Sequence, residues 1–397
     1  MTARLLPLAD VCEINPRLPR NHDLKDGTEV SFVPMAAVNA VAGEILDKQS
    51  RSFGEVKKGY THFRDGDVLF AKITPCMENG KAAVARELIG GFGFGSTEFH
   101  VLRSKESVLP EWLYYFVRRE SFRMEAKRNF TGTAGQQRVP ATFLSTAEIP
   151  VPSLSEQRRI VDLLSRAEGI VRLRRDAQKK AAELIPAIFL DMFGEPESNA
   201  KQLSMRRVAD FVARFAGGKN IQAGSEDPEG YRILKVSAVT SGWYREVESK
   251  PAPDNYTPPS AHLVREGDML FSRANTIDLV GATAIVEATD GKTLLPDKLW
   301  RFVWAEDLDI RYMHALFQLP AIRRALGKLA TGTSDSMRNI SQAKLFALQL
   351  PIASLEQQRA FSRLSEFARS IQSQQSAPTD KAQATFDSLL ATHFQLN

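Results

Sequence analysis

The sequence predicts an α+β protein. Two tandem homologous domains are separated by long helices that pair as an antiparallel coiled coil, and a pseudo-twofold axis relates the halves. Three observations predict this. The chain repeats itself at an offset of about 200 residues. The first part of each copy is cut into short strand-like runs. The last part of each copy carries apolar residues at threes and fours.

The repeat runs the whole length. "RDGDVLFAK" (Arg64–Lys72) falls on "REGDMLFSR" (Arg265–Arg273), and "GKAAVA" (Gly80–Ala85) falls on "GATAIV" (Gly281–Val286). "SFRMEA" meets "AIRRAL", with Arg123 on Arg323. "TGTAGQQRVP" (Thr131–Pro140) echoes "TGTSDSMRNI" (Thr331–Ile340), placing Arg138 on Arg338. "IPVPSLSEQR" (Ile149–Arg158) meets "LPIASLEQQR" (Leu350–Arg359), and the copies end alike in "LIPAIFLDMF" and "TFDSLLATHF". A period this long makes each copy a domain-sized unit, not a solenoid turn.

Composition is that of an ordinary globular protein, 43% apolar and 25% charged. No apolar run of about 18 residues occurs, and "MTARLLPLAD" lacks a signal-peptide pattern, so a cytoplasmic, non-membrane protein is expected. Both cysteines, Cys12 and Cys76, lie in the first copy, which supports neither a disulfide framework nor a zinc site. A net charge of +5 permits a polyanionic partner without requiring one.

Within the first copy, strand-like runs occupy Gly27–Val38, Gly66–Ile73, Lys81–Ile89 and Ser96–Ser104, bounded by Gly, Asp and Pro. Trp112, Leu113, Phe116 and Val117 give helical spacing over Leu109–Arg128, with Asp309–Lys328 as the counterpart. From the end of each copy the expected organisation is a domain over 1–152, a helix over 153–193, a second domain over 194–353 and a second helix over 354–397. Ser153 or Ser155 caps the first helix, with Glu156 in its first turn. The expected pairing seam is Ile160, Leu163, Ala167, Ile170, Ala177, Ala181 and Leu184 against Phe361, Leu364, Ala368 and Ile371. Pro378 should break or kink the second helix, and Pro186 should act more mildly on the first. The plainer alternative is that each helix packs only on its own domain. At about 1.5 Å per residue the first helix reaches roughly 50 Å, and paired helices would hold two reading heads a fixed distance apart. A duplex has an approximate dyad, so that geometry suits two short sequences across a spacer.

Nothing in the chain resembles a catalytic apparatus. There is no G-x-x-x-x-G-K-[ST] loop and no methyltransferase tetrad, and the histidines (His22, His62, His100, His262 and His314 among them) form no metal-ligand spacing. "GGFGFGST" (Gly90–Thr97) reads as a loop, with a phosphate cradle as the alternative. Asp67 and Asp268 in the repeated Gly-Asp read as turn chemistry, with a nuclease role as the alternative.

Several runs together carry a family resemblance: "GDVLFAK…GKAAV", "STEFHVLR", "GTAGQQRV" and above all "IPVPSLSEQRRIVDLL". With these the chain resembles the DNA-specificity subunit of type I restriction–modification systems over essentially its whole length. The second copy departs at one place, Ala353 standing where the first has Pro152. The resemblance implies two target-recognition domains and no catalysis. It also implies binding to double-stranded DNA, to two adenine-N6 methyltransferase subunits and to a translocating restriction subunit. No cofactor is expected in this chain; S-adenosylmethionine, ATP and Mg2+ would belong to those partners.

Candidate DNA contacts lie on loops, where reading heads are usually carried. In the first copy they are Lys72, Thr74, Asn79 and Lys81, then Thr131, Thr133, Gln136, Gln137 and Arg138. In the second they are Arg273, Asn275, Thr331, Thr333, Ser334 and Arg338. Matched pairs (Lys72/Arg273, Arg138/Arg338) suit phosphate contact, and differing pairs (Gln136/Ser336, Gln137/Met337, Thr74/Asn275) suit base reading. For Thr131–Thr133 a plain turn, and for Arg138 a carboxylate partner, are the bland alternatives. The run from Arg158 to Lys180 carries eight basic residues and reads first as the wet face of a coiled coil, then as a partner or phosphate surface. Two other readings stay open: a related DNA-reading scaffold of another nuclease or phage-defence assembly, and a stand-alone enzyme using thiol chemistry at Cys12 or Cys76.

Overall fold

The computed structural model describes residues 4–133, 136–225, 230–254, 256–332 and 337–394. The chain divides into two compact units. Unit 1 comprises Met1–Ala177 and Ser376–Asn397; unit 2 comprises Gln178–Gln375. Both borders therefore fall inside the long helices, Leu154–Phe193 and Leu355–His393.

In unit 1 a four-stranded antiparallel sheet runs Cys12–Ile14, Phe99–Ser104, Val68–Ala71, Ala82–Val84. A second four-stranded sheet runs Gln49–Ser52, Glu29–Val33, Phe92–Gly95, Thr61–Arg64, with Glu29–Val33 and Phe92–Gly95 parallel. Unit 2 repeats the first order with Val212–Gly217, Leu299–Trp304, Met269–Ser272, Thr283–Ile285. It also repeats the parallel pair, as Arg232–Leu234 beside Thr293–Leu294. The duplication seen in sequence is thus a duplication of topology.

Three expectations are corrected here. "GGFGFGST" is not a loop, because Phe92–Gly95 is a strand. Its glycines make room for an aromatic ring: a Cβ on Gly93 would lie 2.1 Å from the ring of Phe63. The helix expected over Leu109–Arg128 is two, Pro110–Arg118 and Glu120–Arg128, broken at Arg119 with ψ 138°. Unit 2 has the same break at Leu319, between Ile310–Gln318 and Pro320–Leu329. Of the break or kink expected at Pro378, the break does not occur: the second long helix continues to His393.

Each unit's core takes in a piece of both long helices. In unit 1, Ile160, Leu164 and Val171 join Phe386, Leu390 and Phe394 in one cluster with Trp112 and Phe116. Phe394 is fully buried, its ring centroid 4.2 Å from that of Trp112. In unit 2, Phe189 and Phe193 pack on Tyr312 and Phe361. Phe189 meets Phe361, while the Gln372 amide donates to Ala181 O at 2.8 Å. The partner number falls as the first rises, so the helices run antiparallel there.

The seam differs from the expected one. Ile160, Ala181, Phe361 and Ala368 are buried, and Ala167, Ala177, Leu184 and Ile371 are half-buried. Leu163, Ile170 and Leu364 are instead exposed, at 37%, 53% and 49%. The buried stripe steps 160, 164, 171, and Leu163 and Ile170 lie one residue off it, about 100° round the helix.

The "EQ" of each copy explains the helix starts. Gln157 is completely buried: its Oε1 accepts from Leu109 N at 2.9 Å and its amide donates to Ser107 O and Pro152 O. Gln358 does the same work, accepting from Asp309 N and donating to Ala353 O. One side chain thus ties the start of each long helix to the start of the helix packed beside it. Ser153, not Ser155, caps the first helix by accepting from Glu156 N at 3.3 Å.

Candidate nucleic-acid interface

The structure brings the two candidate loops of each unit together. In unit 1, Val139 N donates to Lys72 O and Thr74 N to Gln137 O, at 2.9 and 3.0 Å. Thr131 and Arg138 exchange both backbone hydrogen bonds, closing the Thr-Gly-Thr segment into a hairpin. Gly132 has φ +112°, and a Cβ there would lie 2.8 Å from Gln136 O, so the turn needs glycine. In unit 2, Ala274–Asn275 pairs antiparallel with Arg338–Asn339, Ile340 N donates to Arg273 O, and Thr331 exchanges bonds with Asn339.

That register corrects the sequence pairing of the arginines. Thr131 faces Arg138, but Thr331 faces Asn339. Ile73 bridges Arg138, while its counterpart Ala274 pairs with Asn339. The second hairpin is one residue longer, so Arg138 corresponds in space to Asn339 and Arg338 to Gln137. A one-residue slip in extended chain sends a side chain to the opposite face.

The candidate side chains divide accordingly. Arg138 is held by both carboxylate oxygens of Glu98, at 2.9 Å each, and its hydrogen bond keeps the Glu98 carboxyl below the usual range. Arg338 donates to Gly332 O at 3.2 Å. Lys72 is half-buried beside this junction, whereas Lys81 turns into the domain and donates to Met35 O at 2.9 Å. Thr74 donates to Glu78, which also pairs with Lys127. Arg273 lies over the Trp300 ring and donates to Asp297 O at 2.7 Å. Asn275 folds inward, accepting from Thr276 N. Asn79, Thr131, Thr133, Gln136 and Thr331 are exposed, and Gln137 is half-buried. Thr333, Ser334 and Ser336 lie outside the described residues.

The repeated aspartates do turn work. Asp67 accepts from Arg64 N and binds Arg103 through both oxygens; Asp268 accepts from Arg265 N and binds Arg301. Burial pushes the Cys12 thiol up to about 12, so it is not a thiolate at neutral pH. Among the described residues no cluster of His, Cys, Asp and Glu could hold a metal ion, and no helix is long and apolar enough to cross a membrane.

Sequence reasoning overlooked Glu98, which matches Arg138 forty residues away, and the roles of Gln157 and Gln358. The matching glutamines were visible as a repeat, but nothing in the sequence said what they bind.

Both units are thus built on one topology, each presenting a stitched pair of loops and each taking in a piece of both long helices. Residues 5–183 match the family described as "Type I restriction modification DNA specificity domain". The chain is 28% identical to the Escherichia coli type I restriction enzyme EcoEI specificity subunit, over 86% of this chain and 73% of that one. In fold it is similar to a chain from a study of complex assembly and conformational transition of the type I R-M system. That match has a TM-score of 0.56 and 19% identity, covering 99% of this chain and 98% of the other. The type I S subunit from M. genitalium gives a TM-score of 0.55 at 10% identity, covering 99% and 96%. The chain is thus similar over most of its length to a type I specificity subunit, and residues 5–183 match the DNA specificity domain of that family.

Proposed function

We propose that the chain reads a bipartite target in double-stranded DNA, one half-site per unit, and directs partner subunits to it without catalysing the reaction. The observation that carries this reading is the stitched loop pair present in both units with different side chains at its tip. A scaffold kept twice while its tips diverge suits a target whose halves differ. Exposed Gln136 can form paired hydrogen bonds with an adenine edge, and Arg338 with guanine or phosphate.

The partners are two adenine-N6 methyltransferase subunits and a translocating restriction subunit, acting in the cytoplasm. S-adenosylmethionine, ATP and Mg2+ belong to those partners. The apolar residues the helix seam leaves out offer docking points: Leu163, Ile170 and Leu173 on the first helix, Leu364 and Phe367 on the second. Leu163 and Leu364 are repeat counterparts, which supports one methyltransferase per helix.

Methylome sequencing tests the reading. The chain is co-expressed with the methyltransferase encoded beside it, in a host without adenine methylation. One motif of two short blocks around a fixed gap is expected. A soluble complex that leaves no modified motif would overturn the proposal.

A further inference from the structure

An arginine from the neighbouring helix reaches one candidate loop in each unit. In unit 1 the loop 74–80 ends at Gly80, φ +76°. Arg123 reaches it from the helix Glu120–Arg128, donating through Nη1 to Glu78 O at 2.6 Å and through Nε to Arg118 O at 3.2 Å. In unit 2 the loop 275–281 ends at Gly281, φ +79°. Arg323 reaches it from the helix Pro320–Leu329, donating through Nη2 to Asp278 O at 3.0 Å.

The glycines make the fit close. A Cβ on Gly80 would lie 3.2 Å from Arg123 Nη1, and one on Gly281 would lie 3.1 Å from Arg323 Nη1 and 2.9 Å from Leu326. The loops themselves share almost no side chains, "TPCMENG" against "NTIDLVG". An arginine from the matching helix nonetheless donates to the backbone of each loop, two residues before Gly80 and three before Gly281.

Its chemistry is unusual for structural arginine. Among the described residues no carboxylate forms an ion pair with Arg123 or Arg323. Arg323 Nη1 is buried with no hydrogen-bond acceptor at all. Partly burying an unpaired guanidinium is unfavourable unless its hydrogen bonds are used. What these side chains do form is a bond to the backbone of the reading loop. A planar guanidinium fixes the direction of such a bond, which an ammonium on a flexible stem does not.

We infer that Arg123 and Arg323 are positioning residues for base recognition: each braces the loop of its own unit, and each sets the specificity of one half-site without touching a base. This rests on the DNA-reading function proposed above. The brace explains why the arginine and the positive-φ glycine recur at matched places although the loops differ in sequence and in their own backbone bonds.

The test is methylome sequencing of the full chain with its methyltransferase, for the wild type, Arg323→Ala, Arg323→Lys and Gly281→Ala. Duplex affinity is measured alongside as a function of salt. All three variants should lose discrimination by about tenfold at one or more positions of one block, and keep the other block unchanged. Arg123→Lys and Gly80→Ala should degrade the opposite block. Arg323→Lys keeps the charge, so its salt dependence should match the wild type while its motif still blurs. Gly281→Ala leaves the guanidinium in place and displaces the loop, so it carries the test if Arg323→Ala does not fold. Unchanged motifs in the lysine and alanine variants would overturn the inference. So would equal blurring of both blocks, which indicates general destabilisation. Failure of the wild type to give any motif is a different result; it removes the DNA-reading function itself and this inference with it.

Discussion

At the tip of unit 1, Arg138 is clasped by Glu98, and the backbone of Glu98 receives the amide of Lys72. At the same place in unit 2 the residues are Asn339 and Lys298, Lys298 receiving the amide of Arg273. A matched ion pair in one unit has become an amide and an unmatched position in the other, through one inserted residue and two substitutions. At the roots nothing comparable has happened. Phe394 on Trp112 in unit 1 answers Phe193 on Tyr312 in unit 2, and Gln157 answers Gln358. The comparison teaches that this fold separates what must stay from what can change. Packing and buried hydrogen bonds fix the roots, while the tips hang on backbone bonds that, outside their turn glycines, leave the side chains free to change.

The largest expected effects therefore lie at the roots and should be equal in the two units. Phe394→Ala and Phe193→Ala should each cost about 3–5 kcal/mol of stability, measured by denaturant unfolding. Values far apart would break the equivalence of the roots. Next come Gln157→Leu and Gln358→Leu, each leaving the part-buried amide N–H of Leu109 or Asp309 without its acceptor. About 1–3 kcal/mol is expected for each by the same measurement.

Smaller effects lie at the tips and should be unequal. Glu98→Gln releases Arg138, so duplex affinity should rise and the slope of log affinity against log salt should steepen by about one. A slope unchanged by Glu98→Gln would mean Arg138 does not approach phosphate. Smallest is the pH effect. Arg138 depresses the Glu98 carboxyl, so the pair's contribution is present at neutral pH and lost as pH falls through the folded-state value, below the ordinary value of about 4.3. Arg138→Met should bring the Glu98 titration, followed by NMR, back up toward that ordinary value.

Much of this was legible in the sequence, because a repeat is its own alignment. The order of domains and helices, the Gly-Asp turns and the loops that meet at the tip all follow from matching the copies. The helix face was misjudged at Leu163, Ile170 and Leu364. Apolar residues at threes and fours covered more than one stripe, and only the packed structure shows which stripe Phe386 and Leu390 cover. The arginine pairing was misjudged because an Arg fell on an Arg at constant offset. A hairpin one residue longer is invisible until its hydrogen bonds are seen. Glu98 escaped notice for the same reason, since an ion pair across forty residues leaves no local pattern.

A loop graft tests the central claim most directly. Residues 71–81 and 131–138 are placed over 272–282 and 331–339 of unit 2, and the methylome of the resulting complex is sequenced. If each unit reads one half-site through its stitched loops, the motif should become two copies of the block read by unit 1. A folded complex that still methylates the original two-block motif would contradict the account.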